Sequence, residues 1–197
     1  MNKLKFSEIF KTIKIPKKIK KSEYLKVGLI PVISQEKEII NGYTNDNDSL
    51  INISDDAIIF GDHTRCLKLI KYNFAVGADG VKILKVDSKN SKIDTTFMYY
   101  YLKFKKPIDR GYARHFKYLK SINFLIPDYS SQKRIVEKLD ICMEQIDKAI
   151  ENVEQNIQNA EELFQSYLNE IFSKFDKSLI ADLSQLADIV LGQSPKS

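Results

Sequence analysis

The sequence predicts a mixed α/β body followed by one long coiled-coil α-helix, and three observations carry that prediction. Short β-rich runs separated by turn-forming clusters recur through the first 127 residues. A run opening on Asp94 continues without a helix breaker to Phe104. From Leu139 onward, apolar residues recur at intervals of four and three without a fault.

Taken in order, the β-rich runs are "VGLIPVI" (27–33), "AIIF" (57–60), "VKILKV" (81–86) and "INFLIP" (122–127). Clusters such as "NDNDS" (45–49) and "GADG" (77–80) separate them as turns. "DTTFMYYYLKF" (94–104) begins with capping residues and reads as one helix. Residues 112–119 predict a second, with Tyr112, Phe116 and Leu119 inward and Arg114, Lys117 and Lys120 outward. Pro127 closes the body, and Ser130 or Ser131 is placed to cap the heptad helix.

The seam comprises Leu139, Met143, Ile146, Ile150, Val153, Ile157, Ala160, Phe164, Tyr167 and Ile171. At ~1.5 Å per residue it runs about 48 Å, too long to be buried against a body of this size. It therefore calls for a partner helix. These observations divide the chain into a body (1–127), a heptad helix (128–175) and a tail (176–197). In the tail, "LADIV" (186–190) repeats the chemistry of "FSEIF" (6–10): apolar, small, acid, Ile, apolar. The echo reads as the start of a second repeat.

Composition bounds the function. Of 197 residues, 43% are hydrophobic and 29% charged, enough for a core under a water-facing surface. No apolar run approaches the ~20 residues of a membrane span, and the N-terminus lacks a signal-peptide core. Cys66 and Cys142 are too few and too far apart for a disulfide framework or zinc pattern, so the expected compartment is cytoplasmic. The net charge of +5 is unevenly spread. Residues 132–174 hold five Lys/Arg against nine Asp/Glu, so the remainder carries +9. A basic body beside an acidic helix points to a polyanion at one surface and a protein at the other.

Several stretches are candidates for contact with that polyanion. The lysines of residues 11–26, among them Lys17, Lys18, Lys20 and Lys21, form either a solvated segment or a phosphate-binding one. "FGDHTR" (60–65) follows a strand and offers three readings. His63 could act as a base oriented by Asp62, with a metal, in a small nuclease. His63, Thr64 and Arg65 could instead meet bases or phosphates, or the stretch could be a structural turn. "FAVGADGVKIL" (74–84) lacks the spacing of a phosphate-cradling loop, which leaves Lys82 as a contact residue or part of a solvated strand face. "GYARHFKYLK" (111–120) gathers Arg114, His115, Lys117 and Lys120 with three aromatics and no acid. It reads as a nucleic-acid contact or as a half-buried helix. No methyltransferase tetrad, cofactor-binding glycine loop, nuclease motif or metal-ligand pattern is present, so no catalytic residue and no metal site is assigned.

The chain resembles one repeat of the specificity subunit of type I restriction–modification enzymes. The likeness is carried by "GLIPVIS" (28–34), "IIFGDHTR" (58–65), "FAVGADGVKIL", "GYARHFKYLK" and "FLIPDYSSQKRIVEKLD" (124–140) leading into the heptads, and "LADIVLGQSPKS" resembles the opening of a second recognition domain. The resemblance implies a target-recognition domain that reads half of a bipartite site in double-stranded DNA. It implies long helices that pair antiparallel and set the spacing between halves. Methyltransferase (M) subunits would supply S-adenosylmethionine chemistry, and restriction (R) subunits would add ATP- and Mg²⁺-dependent translocation and cleavage. The chain itself would need no cofactor. With one complete recognition domain and one long helix, it is expected to pair with itself as a homodimer. A coiled-coil adaptor without DNA readout is the remaining alternative.

Overall fold

The structure is a computed structural model that describes residues 2–77, 80–87, 89, 92–111 and 113–174. Cα packing divides the chain into a unit of residues 1–141 and a unit of residues 142–197. The elements are β1 (Asn2–Lys5), α1 (Phe6–Ile9), β2 (Phe10–Thr12), β3 (Lys18–Ile19), β4 (Ile30–Ile33), β5 (Gly42–Thr44), β6 (Ala57–Gly61), β7 (Leu67–Ile70), β8 (Ala75–Gly77) and β9 (Val81–Val86). They continue with α2 (Thr95–Phe104), α3 (Phe116–Lys120), β10 (Asn123–Ile126) and the 45-residue α4 (Tyr129–Ser173).

An antiparallel sheet of order β2-β9-β6-β7 forms the middle of the first unit. Its strand β6 is buried at every position, which a run of alternating faces allows only when both faces are covered. Ile58 and Phe60 point to one side, into a core with Phe6, Phe10, Met98, Leu102, Leu119 and Phe124. Ala57 and Ile59 point to the other, against Ile33 and Val76 of a second sheet and Phe74 just ahead of β8. That second sheet has the order β3-β8-β4-β5, with β8 parallel to both of its neighbours. Strands β1 and β10 pair antiparallel, Asn2 opposite Ile126 and Lys5 opposite Asn123. This tie joins residue 2 to the stretch just ahead of α4.

The predicted helix over 94–104 is present, with Asp94 as its cap: Oδ1 accepts the Phe97 N–H at 2.8 Å. Three expectations change. The run 27–33 is a strand only from Ile30, and Val27 and Leu29 stand in solvent. The short helix expected over 112–119 occupies Phe116–Lys120, and Tyr112 lies outside the described residues. The cap of α4 is Asp128, not Ser130 or Ser131: its carboxylate accepts from Ser131 N–H (2.9 Å), Ser130 Oγ (2.7 Å) and Ser131 Oγ (2.8 Å). Asp128, the residue just ahead of the helix, sits where the free N–H groups converge. Residues 186–190 also lie outside the described residues, while their echo at 6–10 supplies α1.

The first turns of α4 are fastened to the body by side chains. Gln132 is 1% exposed; its Oε1 accepts the Asp94 N–H (2.8 Å), and its Nε2 donates to the carbonyls of Lys92 and Pro127 (both 2.9 Å). Lys133 pairs with Asp94 at 2.7 Å, and the Tyr100 hydroxyl donates to Asp140 Oδ1 at 2.5 Å. Burial and then the Asp140 carboxylate push the Tyr100 phenol well above its ordinary pKa. No described helix is long and apolar enough to cross a membrane.

Candidate nucleic-acid interface

The two stretches singled out at 60–65 and 111–120 come together, and Asp62 joins them. The Asp62 carbonyl accepts the His115 backbone N–H (2.8 Å), and its carboxylate Oδ1 accepts the Phe116 N–H (2.8 Å). A carboxylate at the first turn satisfies N–H groups that a helix leaves without partners. That bond explains why α3 begins at Phe116. It also gives the Asp62 side chain, in a residue 5% exposed, a structural task in place of base orientation.

His115 is a correction. Its side chain is wholly buried, with Nε2 accepting the Arg110 N–H (3.2 Å) and Nδ1 3.1 Å from the Asp62 carbonyl. An acceptor at Nε2 puts the proton on Nδ1, which then donates to that carbonyl. Both ring nitrogens are spent inside the protein, so the imidazole has no face to offer a DNA groove.

The turn 62–66 joins β6 to β7 and is held tightly. Gly61 N–H donates to the Cys66 carbonyl (2.9 Å), and Arg65 N–H to the Gly61 carbonyl (2.8 Å). A Cβ at Gly61 would come within 2.3 Å of Thr64 Oγ1 and 2.8 Å of Gln35 Cβ, so no larger residue fits. The Thr64 hydroxyl donates to the Gln35 carbonyl (2.6 Å) and accepts the Cys66 N–H (3.2 Å). The His63 backbone N–H donates to Gln35 Oε1 (3.2 Å). Arg65 adopts a left-handed φ of 57°. Its Nη1 donates to the Pro107 carbonyl (3.0 Å) and its Nη2 pairs with the Asp109 carboxylate. Arg65 is therefore held by the 105–111 segment.

The remaining cations of the region gather on two rings. Phe116 has Lys82 Nζ at 5.6 Å and Lys120 Nζ at 5.3 Å from its centroid. Tyr118 has the Arg110 guanidinium carbon at 4.8 Å and Lys117 Nζ at 4.9 Å. Such contacts favour a cation by about 0.5–1 kcal/mol at exposed sites and set its position without neutralising it. Arg114 is exposed beside them. No ion pair with a described acid is present for Lys82, Arg110, Arg114, Lys117 or Lys120. Arg110 was not singled out from sequence. Alternation of cations and rings was the available signal, but only the fold lays Arg110 on Tyr118.

The lysine run is more heavily engaged than its composition indicates. Lys17 pairs with Asp46 (2.6 Å) and Lys21 with Glu36 (2.8 Å). The hydrogen bond to each acid, and then its charge, raises both lysine pKa values. Lys18 lies exposed on β3, and Lys20 is exposed while its backbone N–H donates to Glu23 Oε2 (2.8 Å). Among the described residues no group of three or more His, Cys, Asp or Glu is arranged to hold a metal ion.

Along α4 the heptad residues lie on the outside of the monomer. Ile150 is 50% exposed, and Leu139, Ile146, Val153, Ile157, Phe164, Tyr167 and Ile171 are also exposed. Ala160 is exposed and Met143 is half-buried. Ile146, Ile150 and Val153 line a shallow apolar groove with Ala149 and Glu154.

The family model of the type I restriction modification DNA specificity domain matches residues 1–162. Three solved structures share the fold. A chain from a structure of complex assembly and conformational transition in the type I R-M system superposes with a TM-score of 0.65 at 15% identity, covering 87% of this chain and 45% of that one. The S subunit of a type I restriction-modification system from M. genitalium gives 0.56 at 19% identity, covering 90% and 46%. The HsdS subunit from Thermoanaerobacter tengcongensis gives 0.51 at 15% identity, covering 74% and 38%. The chain thus spans less than half the length of each. No curated protein matches the sequence.

Proposed function

The chain belongs to the type I restriction–modification DNA specificity domain family, and from that membership we propose that it reads one half of a bipartite site in double-stranded DNA. The observation that carries the proposal is the cluster of Lys82, Arg110, Lys117 and Lys120 on the rings of Phe116 and Tyr118, with Arg114 exposed alongside. Cations held in position without a partner among the described acids attract a polyphosphate. A guanidinium fixed in place is suited to the acceptors of a guanine edge in the major groove. On this reading Arg114 and Arg110 meet bases. Lys18 and Lys20 meet phosphates, with Lys17 and Lys21 exchanging their acids for phosphate.

The exposed seam of α4 supports pairing with a second heptad helix, and a second copy of this chain can supply one. Run antiparallel about residue 155, the seam is self-complementary: Leu139 meets Ile171, Met143 meets Tyr167, Ile146 meets Phe164, Ile150 meets Ala160 and Val153 meets Ile157 of the second copy. The resulting two-fold would relate two identical readers. On this proposal methylation and cleavage reside in the methyltransferase and restriction subunits, with their S-adenosylmethionine, ATP and Mg²⁺, and the assembly works in the cytoplasm. A small nuclease using Asp62 and His63 is disfavoured because Asp62 is buried and its Oδ1 already holds the Phe116 N–H at the start of α3.

Methylation mapping of a genome expressing the chain with its cognate methyltransferase subunit tests the reading. The expected product is a set of modified sites forming an interrupted palindrome. Two unrelated half-sites would refute the symmetric dimer. Modification unaffected by deleting the chain would refute the specificity role, as would Mg²⁺-dependent cleavage by the purified chain.

A further inference from the structure

Arg65 is the most constrained cation of the site. A non-glycine residue in the left-handed region is uncommon and persists where surrounding contacts hold it. Here the turn holds the backbone, through the Arg65 N–H to the Gly61 carbonyl, and one short segment holds the side chain: Pro107 offers a carbonyl to Nη1, and Asp109 offers a carboxylate to Nη2. The Arg65 side chain is 20% exposed and that of Asp109 62%. Asp109 is itself oriented, because its Oδ1 accepts the Gly111 N–H at 3.0 Å. The next residue, Arg110, stacks on Tyr118 among the cations already described. A solvent-facing acid thus occupies one arm of a guanidinium fork inside a basic cluster.

We infer that Asp109 is an internal substitute for a DNA phosphate: it holds Arg65 in the free protein, yields Nη2 to the duplex on binding, and so limits attraction to DNA of any sequence. The inference rests on the DNA-reading assignment above. An ion pair whose acid faces solvent is weakened by water and salt, whereas guanidinium and phosphate make paired charge-assisted bonds. Exchange is therefore available without unfolding the turn, since Nη1 keeps its bond to Pro107. A purely structural pair makes the opposite prediction, because its loss would loosen the 105–111 segment and weaken binding.

The test measures anisotropy of a labelled random-sequence duplex with the full chain across a salt series. Asp109→Asn should bind about fivefold more tightly at low salt, the release expected of one ion pair whose acid faces solvent. Its log affinity should also fall more steeply with log salt, by about one unit of slope. In an Arg65→Gln background Asp109→Asn should give no gain. Asp109→Ser, which keeps an oxygen for the Gly111 N–H, provides a second variant, and thermal unfolding confirms that each is folded. Unchanged or weaker binding by the folded variants would overturn the inference, as would an equal gain without Arg65. Both results leave the DNA-reading assignment standing when wild type binds with normal salt dependence. Absence of wild-type binding at low salt would remove that assignment, and this inference with it.

Discussion

At the scale of single residues, the interface separates groups that face outward from groups that hold the site together. Lys20 is exposed on a basic segment, so Lys20→Ala should weaken binding about equally on all sequences and reduce the salt slope by roughly one. Arg114→Ala should instead cost about 1–3 kcal/mol on the cognate site and relax preference at one position. A titration of both variants on cognate and scrambled duplexes checks the pair. An Arg114→Ala defect equal on every sequence would reassign that residue to the backbone. His115 belongs to the other group. His115→Ala leaves the Arg110 N–H and the Asp62 carbonyl without their ring partner and opens a cavity. It should destabilise the body by about 2–4 kcal/mol, read from denaturant unfolding.

At the scale of elements, α4 is controlled at its start and along its seam. Three hydrogen bonds, the one from Ser130 Oγ contributing most, hold the Asp128 carboxyl well below the usual carboxylate range. A folded pKa below the unfolded one gives stability that is present above the unfolded value near ~4 and is lost as pH falls towards the folded value. Asp128→Asn should therefore lower the thermal midpoint at about pH 6, with the gap to wild type closing as pH drops below about 4. A gap independent of pH would deny the carboxylate that role. Along the seam, Ile150→Asp with Ile157→Asp buries unpaired charge in any helix pair, at several kcal/mol. Light scattering should show the mass of a monomer, and a mass equal to wild type would sink pairing through these residues.

At the scale of the whole molecule, the antiparallel register carries an electrostatic signature. Alignment about residue 155 sets Glu154 beside Glu154 and Asp147 beside Glu161 of the second copy, flanking the apolar layers. Like charges this close repel, and salt screens them. Sedimentation equilibrium should thus show dimerisation tightening as salt rises, while binding of DNA to the same protein weakens. Dimerisation that loosens with salt would count against this register. The opposed trends arise from one charge distribution: −4 over residues 132–174 and +9 elsewhere.

What the sequence determined by itself is whatever depends on local periodicity and charge. The four-three spacing from Leu139 to Ile171 specifies a helix with an apolar stripe, and α4 runs from Tyr129 to Ser173. The β-rich run at 57–60 specifies a strand, and the tertiary structure covers β6 on both faces. Short strands escaped notice because their partners are remote. The two residues of β3 have no pattern of their own and are strands through pairing with β8, and β1 exists by pairing with β10 more than a hundred residues later. The tertiary structure alone decided which polar groups face inward. His115 and Arg114 are neighbours of similar chemistry, yet the Asp62 carbonyl and the Arg110 N–H claim one and leave the other in solvent. Likewise Arg65 is tied to Asp109, 44 residues away, and Arg110 lands on Tyr118. A buried polar group must find a partner wherever the fold provides it, and those partners are set by long-range packing that no local spacing encodes.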